Sequence, residues 1–394
     1  MPAARRVGVR ERRTRISLRH HLAPGAWVSD PVEVVGDLVA LHSTDPASVF
    51  LSTMARTVDP SPGHLEKALY EERAVVRMLG MRRTMFVVAA DLVPIVHAAC
   101  TVAIAARERR RLVQMVEEGG LADEGGSWLA AVEAATLDAL VERGEAVGAE
   151  LSRAVPELRH RLTFGEGTRW AGVQALTTRV LFLLAADGRI VRGRPRGSWT
   201  SSQYRWVPVD TWLPHRPPEP DPMAARAELT RRWLAAFGPA TAADLRWWTG
   251  WTAAEAGRAL ARVGPVEVDL DGAVGLLLPD DPEASDRPEP FAALLPALDP
   301  TVMGWADRTW FLGGHRDALF DRTGNAGPTV WWNGSVVGGW AQRKGGDIAV
   351  RLLEDVGGAA VGAVDAAAAR LRDAIGDVRV TPRFRTPLER ELSA

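Results

Sequence analysis

"AVVRMLGMRRTMFVVA", residues 74–89, is rich in Val, Met and Phe, with an Arg-Arg-Thr triplet at its centre. Such runs on both sides of a polar break read as two strands joined by a turn. What precedes them reads as helix. "PVEVVGDLVAL", 31–41, is an apolar helical run, and "PASVFLSTMART" begins at Pro46. Proline suits a first helical turn, and Asp45 just before it suits the cap. "SPGHLEKALYEE" is a third short helix with a Ser cap. Three helices followed by a strand pair are the outline of a winged helix-turn-helix.

The outline recurs. "GSWLAAVEAATLDALVERG", "EAVGAELSRAVPEL" and "TRWAGVQALTTRVLFLLAADG" read as helices, and "RIVRGRPRGSWTSSQYRWVPV" as strand, turn and strand. A proline-rich linker, "LPHRPPEPDP", closes this unit. Beyond it, "MAARAELTRRWLAAFG", "TAADLRWWTG" and "TAAEAGRALARVG" read as helices, and "VEVDLDGAVGLLLP" as a hairpin around Asp271-Gly272. The expected class is α+β: three tandem winged helix-turn-helix domains plus a small C-terminal α+β cap packed on the third. The expected boundaries are 1–105 for the first winged helix, 106–127 for a helical connector, and 128–212 for the second. Then come 213–222 for the linker, 223–282 for the third winged helix and 283–394 for the cap.

At 394 residues the chain suggests two to four domains, and 46% apolar with 25% charged residues is the balance of a soluble globular protein. No apolar run reads as long enough to span a bilayer, and the basic N-terminus lacks the apolar core of a signal peptide. No membrane partner is expected, and the cytoplasm is the expected compartment. Cys100 is the only cysteine, which excludes a disulfide framework and a Cys-based zinc site. The histidines show no metal spacing, so no metal and no cofactor are expected.

A net charge of −1 argues against a nucleic-acid binder that uses its whole surface. The basic residues are clumped, however, and all but Lys67 and Lys344 are Arg. "RRVGVRERRTR" opens the chain, "RERRR" spans 107–111, and residues 189–206 hold no acid. In that last stretch Arg192, Arg194 and Arg196 alternate, so a regular strand sends them to one side. Ser198, Thr200, Ser201 and Gln203 add phosphate donors, and Trp199, Tyr204 and Trp206 add stacking surface. Further DNA-contact candidates are Arg82 and Arg83 in the first hairpin turn, Arg308 in "WADRTW", and Gln342, Arg343 and Lys344 in "QRKGG". "RERRR" reads as the coat of an exposed helix.

One cluster stands apart. His42, Ser43, Thr44 and Asp45 sit side by side before Pro46. Thr44 or Asp45 suits a helix cap, but no cap requires His42. "LVALHSTDPASVFLSTMAR", "VVRMLGMRRTMFVVAADL", "LAADGRIVRGRPRGSWTSSQYRW", "LLPALDPTVMGWADR" and "VVGGWAQRKGGDIAVRLLED" resemble, in order, the signature blocks of the AlkZ/YcaQ-type tandem winged-helix DNA glycosylases. The resemblance covers nearly the whole chain. It implies three winged helices in a C-shape around duplex DNA and metal-free release of alkylated purines, bulky adducts and crosslinks included. It also places the family's catalytic Gln-x-Gln or Gln-x-Asp motif at His42, Ser43 and Thr44, where neither pattern is intact.

An N7- or N3-alkylated purine is already a cationic leaving group, so the enzyme needs only a placed water and a stabilised oxocarbenium-like sugar. The expected roles are His42 as the base that orients and deprotonates water, Thr44 as the holder of that water or of the target phosphate, and Asp45 as a cap with a secondary electrostatic part. The expected protein is a monomeric, monofunctional DNA glycosylase of base-excision repair acting on double-stranded DNA carrying alkylated bases. The rival reading is a non-catalytic winged-helix DNA-binding regulator or damage sensor.

Overall fold

The computed structural model describes residues 5–164, 172–215, 217–281 and 286–394. In the first unit, the helices Pro31–Asp37, Pro46–Met54 and Pro62–Tyr70 each open with proline. Asp30, Asp45 and Ser61 cap them by accepting from the backbone N–H two residues on. Their buried faces supply Val34, Phe50 and Leu65, none of which is exposed at all. Strand β1 (Leu41–His42) joins β2 (Val75–Leu79) and β3 (Met85–Ala89) in a sheet of order β1-β3-β2. The expected helix over 31–41 therefore stops early. Val39 takes a left-handed φ of 65°, which ends the helix, and Leu41 and His42 pair instead with Val87 and Phe86.

The second unit holds the helices Gly125–Arg143 and Gly148–Ala154, the hairpin β4 (Arg161–Phe164) and β5 (Gly172–Ala175), and the helix Leu176–Ala186. The hairpin β6 (Ile190–Pro195) and β7 (Tyr204–Pro208) closes it. The third expected helix is thus preceded by a strand: Gly172–Ala175 alternates in exposure and pairs with Arg161–Phe164. The start of that stretch, Thr168 to Ala171, lies outside the described residues.

In the third unit, the helices Pro222–Phe237, Ala242–Thr249 and Ala253–Val263 precede β8 (Val266–Leu270) and β9 (Ala273–Leu277). Thr241 and Thr252 begin two of those helices with reciprocal capping boxes to Asp244 and Glu255. The C-terminal part is a four-stranded antiparallel sheet, β10 (Ala292–Leu295), β11 (Thr329–Trp332), β12 (Ser335–Gln342) and β13 (Ile348–Leu352), paired in chain order. The helix Gly358–Ile375 lies against it.

The C-terminal part does not rest on the third unit alone. One continuous core joins it to the first and third units, while the second unit keeps a core of its own around Leu129, Leu140, Leu151 and Leu176. Arg56 and Asp299, both wholly buried, pin the joint with N–O distances of 2.7 and 2.9 Å. Arg56 also donates to the carbonyls of His20 and Ser52 and to the Thr301 hydroxyl, which satisfies the whole guanidinium fork.

The basic N-terminal stretch is likewise spent on partners within the chain. The helix Val9–Arg19 sends Arg15 and Arg19 to Asp281 and Arg13 to the Trp310 carbonyl, and Arg6 pairs with Asp271. The continuous helical run Ala90–Glu118 corrects another expectation, since it is long and apolar enough to cross a membrane. More than half of its apolar window is buried in the protein, where His97 and Thr101 hydrogen-bond to the carbonyls of Ala186 and Leu79.

Candidate functional site

His42 ends strand β1, and its ring packs 4.9 Å from that of Phe86. The side chain is 8% exposed, and Nδ1 is buried with no hydrogen-bond partner among the described residues. Burial, then the nearby Arg82 cation, pushes its pKa down to about 3. The imidazole is therefore neutral at physiological pH. This corrects the expectation of a base titrating near neutrality: such a ring takes protons poorly but still offers one N–H and one lone pair to orient a water.

The Thr44 hydroxyl is likewise buried without a partner among the described residues. Two unmade hydrogen bonds two residues apart each cost about 1–3 kcal/mol, so each of these groups favours a polar partner. Asp45 has no such freedom. One carboxylate oxygen accepts from Ala47 N at 3.2 Å, capping the helix Pro46–Met54, and the other accepts from Arg383 N at 2.9 Å. Burial raises its pKa, opposed by these two backbone N–H groups and by the Arg383 charge.

Ser43 faces different surroundings. Its hydroxyl accepts from Arg77 Nε at 2.6 Å, and Arg77 Nη1 donates to the Tyr70 hydroxyl at 3.3 Å. The Arg77 guanidinium lies 4.5 Å from the Tyr204 ring centroid, and Arg192 lies 5.4 Å from the same centroid. Tyr204 and Arg192 come from β7 and β6, so the basic hairpin of the second unit docks on strand β2 and delivers a cation beside the motif. Burial lowers the Arg192 pKa to about 10, and repulsion from Arg77 and Arg383 adds to the shift. Arg383, exposed, closes the group with a 3.3 Å bond to the Thr44 carbonyl.

The three alternating arginines are differently engaged. The β6–β7 register is irregular between Arg192 and Pro195, Arg192 lies beside Tyr204 and Trp206, and Arg194 stacks 4.9 Å from the Tyr70 ring. Arg194 pairs with Glu71 at 3.1 Å, and Arg196 with Glu150 at 2.6 Å. Trp199 is buried against Phe50 at 5.2 Å and offers no stacking surface. Ser198 and Gln203 are exposed, and Thr200 and Ser201 are half-buried.

Arg82 and Arg83 part company too. Both take left-handed φ angles, 52° and 59°, in the tight turn between β2 and β3. Arg82 stacks 4.2 Å from the Trp247 centroid and burial lowers its pKa to about 10, while Arg83 pairs with the buried Glu108 at 2.9 Å. Gly250 permits that approach, since a Cβ there would lie 3.1 Å from Arg82 Cγ. Arg308 shares the Trp247 ring at 4.5 Å, is 6% exposed, and donates to the Val302 carbonyl at 2.9 Å.

The C-terminal hairpin corrects a further expectation. The Gln342 amide is buried and bonds the backbone of Gly346, Val378 and Val380, so it is a structural clamp. Arg343 and Lys344 are exposed, but Arg379 holds their turn through the carbonyls of Lys344 and Gly345. Among the described residues, no group of three His, Cys, Asp or Glu side chains is placed to hold a metal ion.

Sequence reading misses Arg77 and Arg383 and notes Tyr204 only as a stacking ring. A signal for Arg77 was present, since a lone cation inside the apolar run "VVRML" needs a buried partner. Arg383 carries none, because only folding brings it to Thr44.

Comparison with known proteins accords with this architecture. The family model described as "DNA glycosylase AlkZ-like" matches residues 35–374. No curated protein sequence matches the chain. Among solved structures, the Streptomyces sahachiroi DNA glycosylase AlkZ is similar with a TM-score of 0.71 and 20% identity, covering 96% of this chain and 99% of that one. That likeness shows the fold, and the match of the family model over most of the length shows the kinship: the chain belongs to the family of AlkZ-like DNA glycosylases.

Proposed function

We propose that the protein hydrolyses the N-glycosidic bond of alkylated (N7 or N3) purines in duplex DNA, bulky adducts and crosslinks included. It acts as a monofunctional, metal-independent glycosylase of base-excision repair. The fold is read as three tandem winged helix-turn-helix domains, 1–105, 128–212 and 223–282, around the duplex, with a C-terminal α+β part over 283–394. The protein is taken to work as a cytoplasmic monomer on nucleoid DNA.

The observation that carries this reading is the pair of buried polar atoms, His42 Nδ1 and Thr44 Oγ1, without a partner among the described residues, at the position of the family's motif. The cationic purine leaves without an acid, so the protein's task is to orient one water. A neutral His42 holds it through a ring nitrogen, and the Thr44 hydroxyl holds it from the other side. Proton loss follows attack on the oxocarbenium-like carbon, because the water becomes strongly acidic once bonded. A weak base therefore suffices. Asp45 builds the turn rather than touching the sugar.

Incubation with 7-methylguanine duplex DNA and chromatography of the released base tests this. His42→Ala should slow release about 10²–10³-fold, the worth of one preorganised hydrogen-bonding group, with DNA affinity little changed. Equal rates for wild type and variant refute the assignment. Tight binding with no release by the wild type favours a non-catalytic DNA-binding protein.

A further inference from the structure

We infer that Arg77 and Arg192, with Tyr204 as their aromatic floor, form together with Arg383 a subsite for one DNA backbone phosphate beside the motif, an inference that rests on the glycosylase reading.

Arg77 on strand β2 and Arg192 on strand β6 share the Tyr204 ring at 4.5 and 5.4 Å, and Arg383 of the C-terminal segment reaches the Thr44 carbonyl, next to Arg77's partner Ser43, at 3.3 Å. The carboxylate nearby, Asp45, already accepts one backbone N–H on each oxygen. Arg77 is 2% exposed, held in place by Ser43 and Tyr70, and its Nη2 has no partner among the described residues. The Tyr204 hydroxyl, in a side chain 8% exposed, is unpartnered as well. Arg192 is half-buried and Arg383 exposed, so the cluster runs from the interior to the surface. Mutually repelling cations with spare donors fit an anion with two free oxygens, which is what a phosphodiester presents.

The placement gives the subsite two effects. Ser43 ties Arg77 to the residue between His42 and Thr44, so a phosphate held there sets the sugar relative to the water-orienting pair. Three clustered cations with, among the described residues, only the Asp45 carboxylate beside them would also oppose a developing oxocarbenium ion. The bound phosphate lends one negative charge and reduces that opposition at the moment of bond cleavage.

A double-mutant cycle on binding tests the proposal. The probe is a duplex with a tetrahydrofuran abasic analogue, which cannot turn over, and with single methylphosphonate replacements at each flanking phosphate. Arg383→Ala and Arg192→Ala in the full chain should each weaken binding to the all-phosphate duplex about tenfold and lower the salt slope by about one. At one phosphate next to the lesion, neutralisation should remove most of that loss, and Arg77→Lys should show the same coupling. Additive losses at every phosphate, or no loss in Arg383→Ala, overturn the subsite. The readout is independent of base release. Coupling without release would sink the glycosylase reading and keep the subsite, and release without coupling would do the reverse.

Discussion

Acid should destabilise this protein through His42 in a way that one substitution isolates. The ring is buried, and its pKa falls from 6.5 to about 3 on folding. A folded-state pKa below the unfolded one means that the unfolded chain binds the proton first. The neutral ring's contribution is therefore whole above pH 6.5 and is lost progressively as pH falls toward 3, at about 1.4 kcal/mol per unit once below 6.5. Across that window the loss approaches about 4–5 kcal/mol, a large share of a typical 5–15 kcal/mol of stability. His42→Gln removes the titrating group and keeps a polar side chain of similar reach. Urea unfolding at pH 7, 6, 5 and 4 should show the wild type losing about 3 kcal/mol more than the variant between pH 7 and 4. The comparison between proteins cancels His20, another buried histidine whose pKa is pushed down by burial. Base release by the wild type should stay flat from pH 5 to 8 as far as His42 is concerned. Parallel pH dependences of stability in the two proteins would refute the buried, neutral ring.

Other expectations follow from the same geometry. Asp299→Ala strands Arg56 as a buried unpaired cation, so it should cost about 3–5 kcal/mol, read as a lower urea midpoint at pH 7, whereas exposed Arg351→Ala should cost under about 1 kcal/mol. In salt titrations of DNA binding, Arg192→Ala should reduce the slope more than Arg194→Ala or Arg196→Ala, because the latter two already hold Glu71 and Glu150. Equal effects would show that those pairs open on DNA. Strand breaks should appear only after added base or an endonuclease, since Lys67 is paired with Glu72 and its pKa is raised by that carboxylate. Borohydride trapping of a covalent complex, lost in Lys344→Ala, would contradict this.

Local chemistry was legible where it acts over a few residues. The caps at Asp45, Ser61, Thr241 and Thr252 follow from one side chain reaching a backbone N–H two or three positions on, and chain order already holds that geometry. The strand pair around Arg82-Arg83 and the hairpin at Asp271-Gly272 follow likewise from alternation and turn chemistry. Helix ends were harder to place. "PVEVVGDLVAL" keeps its apolar period past Asp37, but the pairing of Leu41 and His42 with β3, more than forty residues on, satisfies their backbone better than a further helical turn.

What residue order determined, then, was the set of elements, their caps and the position of His42, Ser43 and Thr44 in front of a proline-led helix. Which arginines are free was settled only by folding. The N-terminal cations reach acids more than 250 positions away, the hairpin arginines divide between Glu71, Glu150 and the motif, and Arg383 meets Thr44 across the whole chain. The ionisation of His42 belongs to the same class. A histidine's proton affinity depends on the water and charge within a few ångströms, and here Phe86, the burying core and Arg82 set it, a neighbourhood that exists only once the sheet has closed.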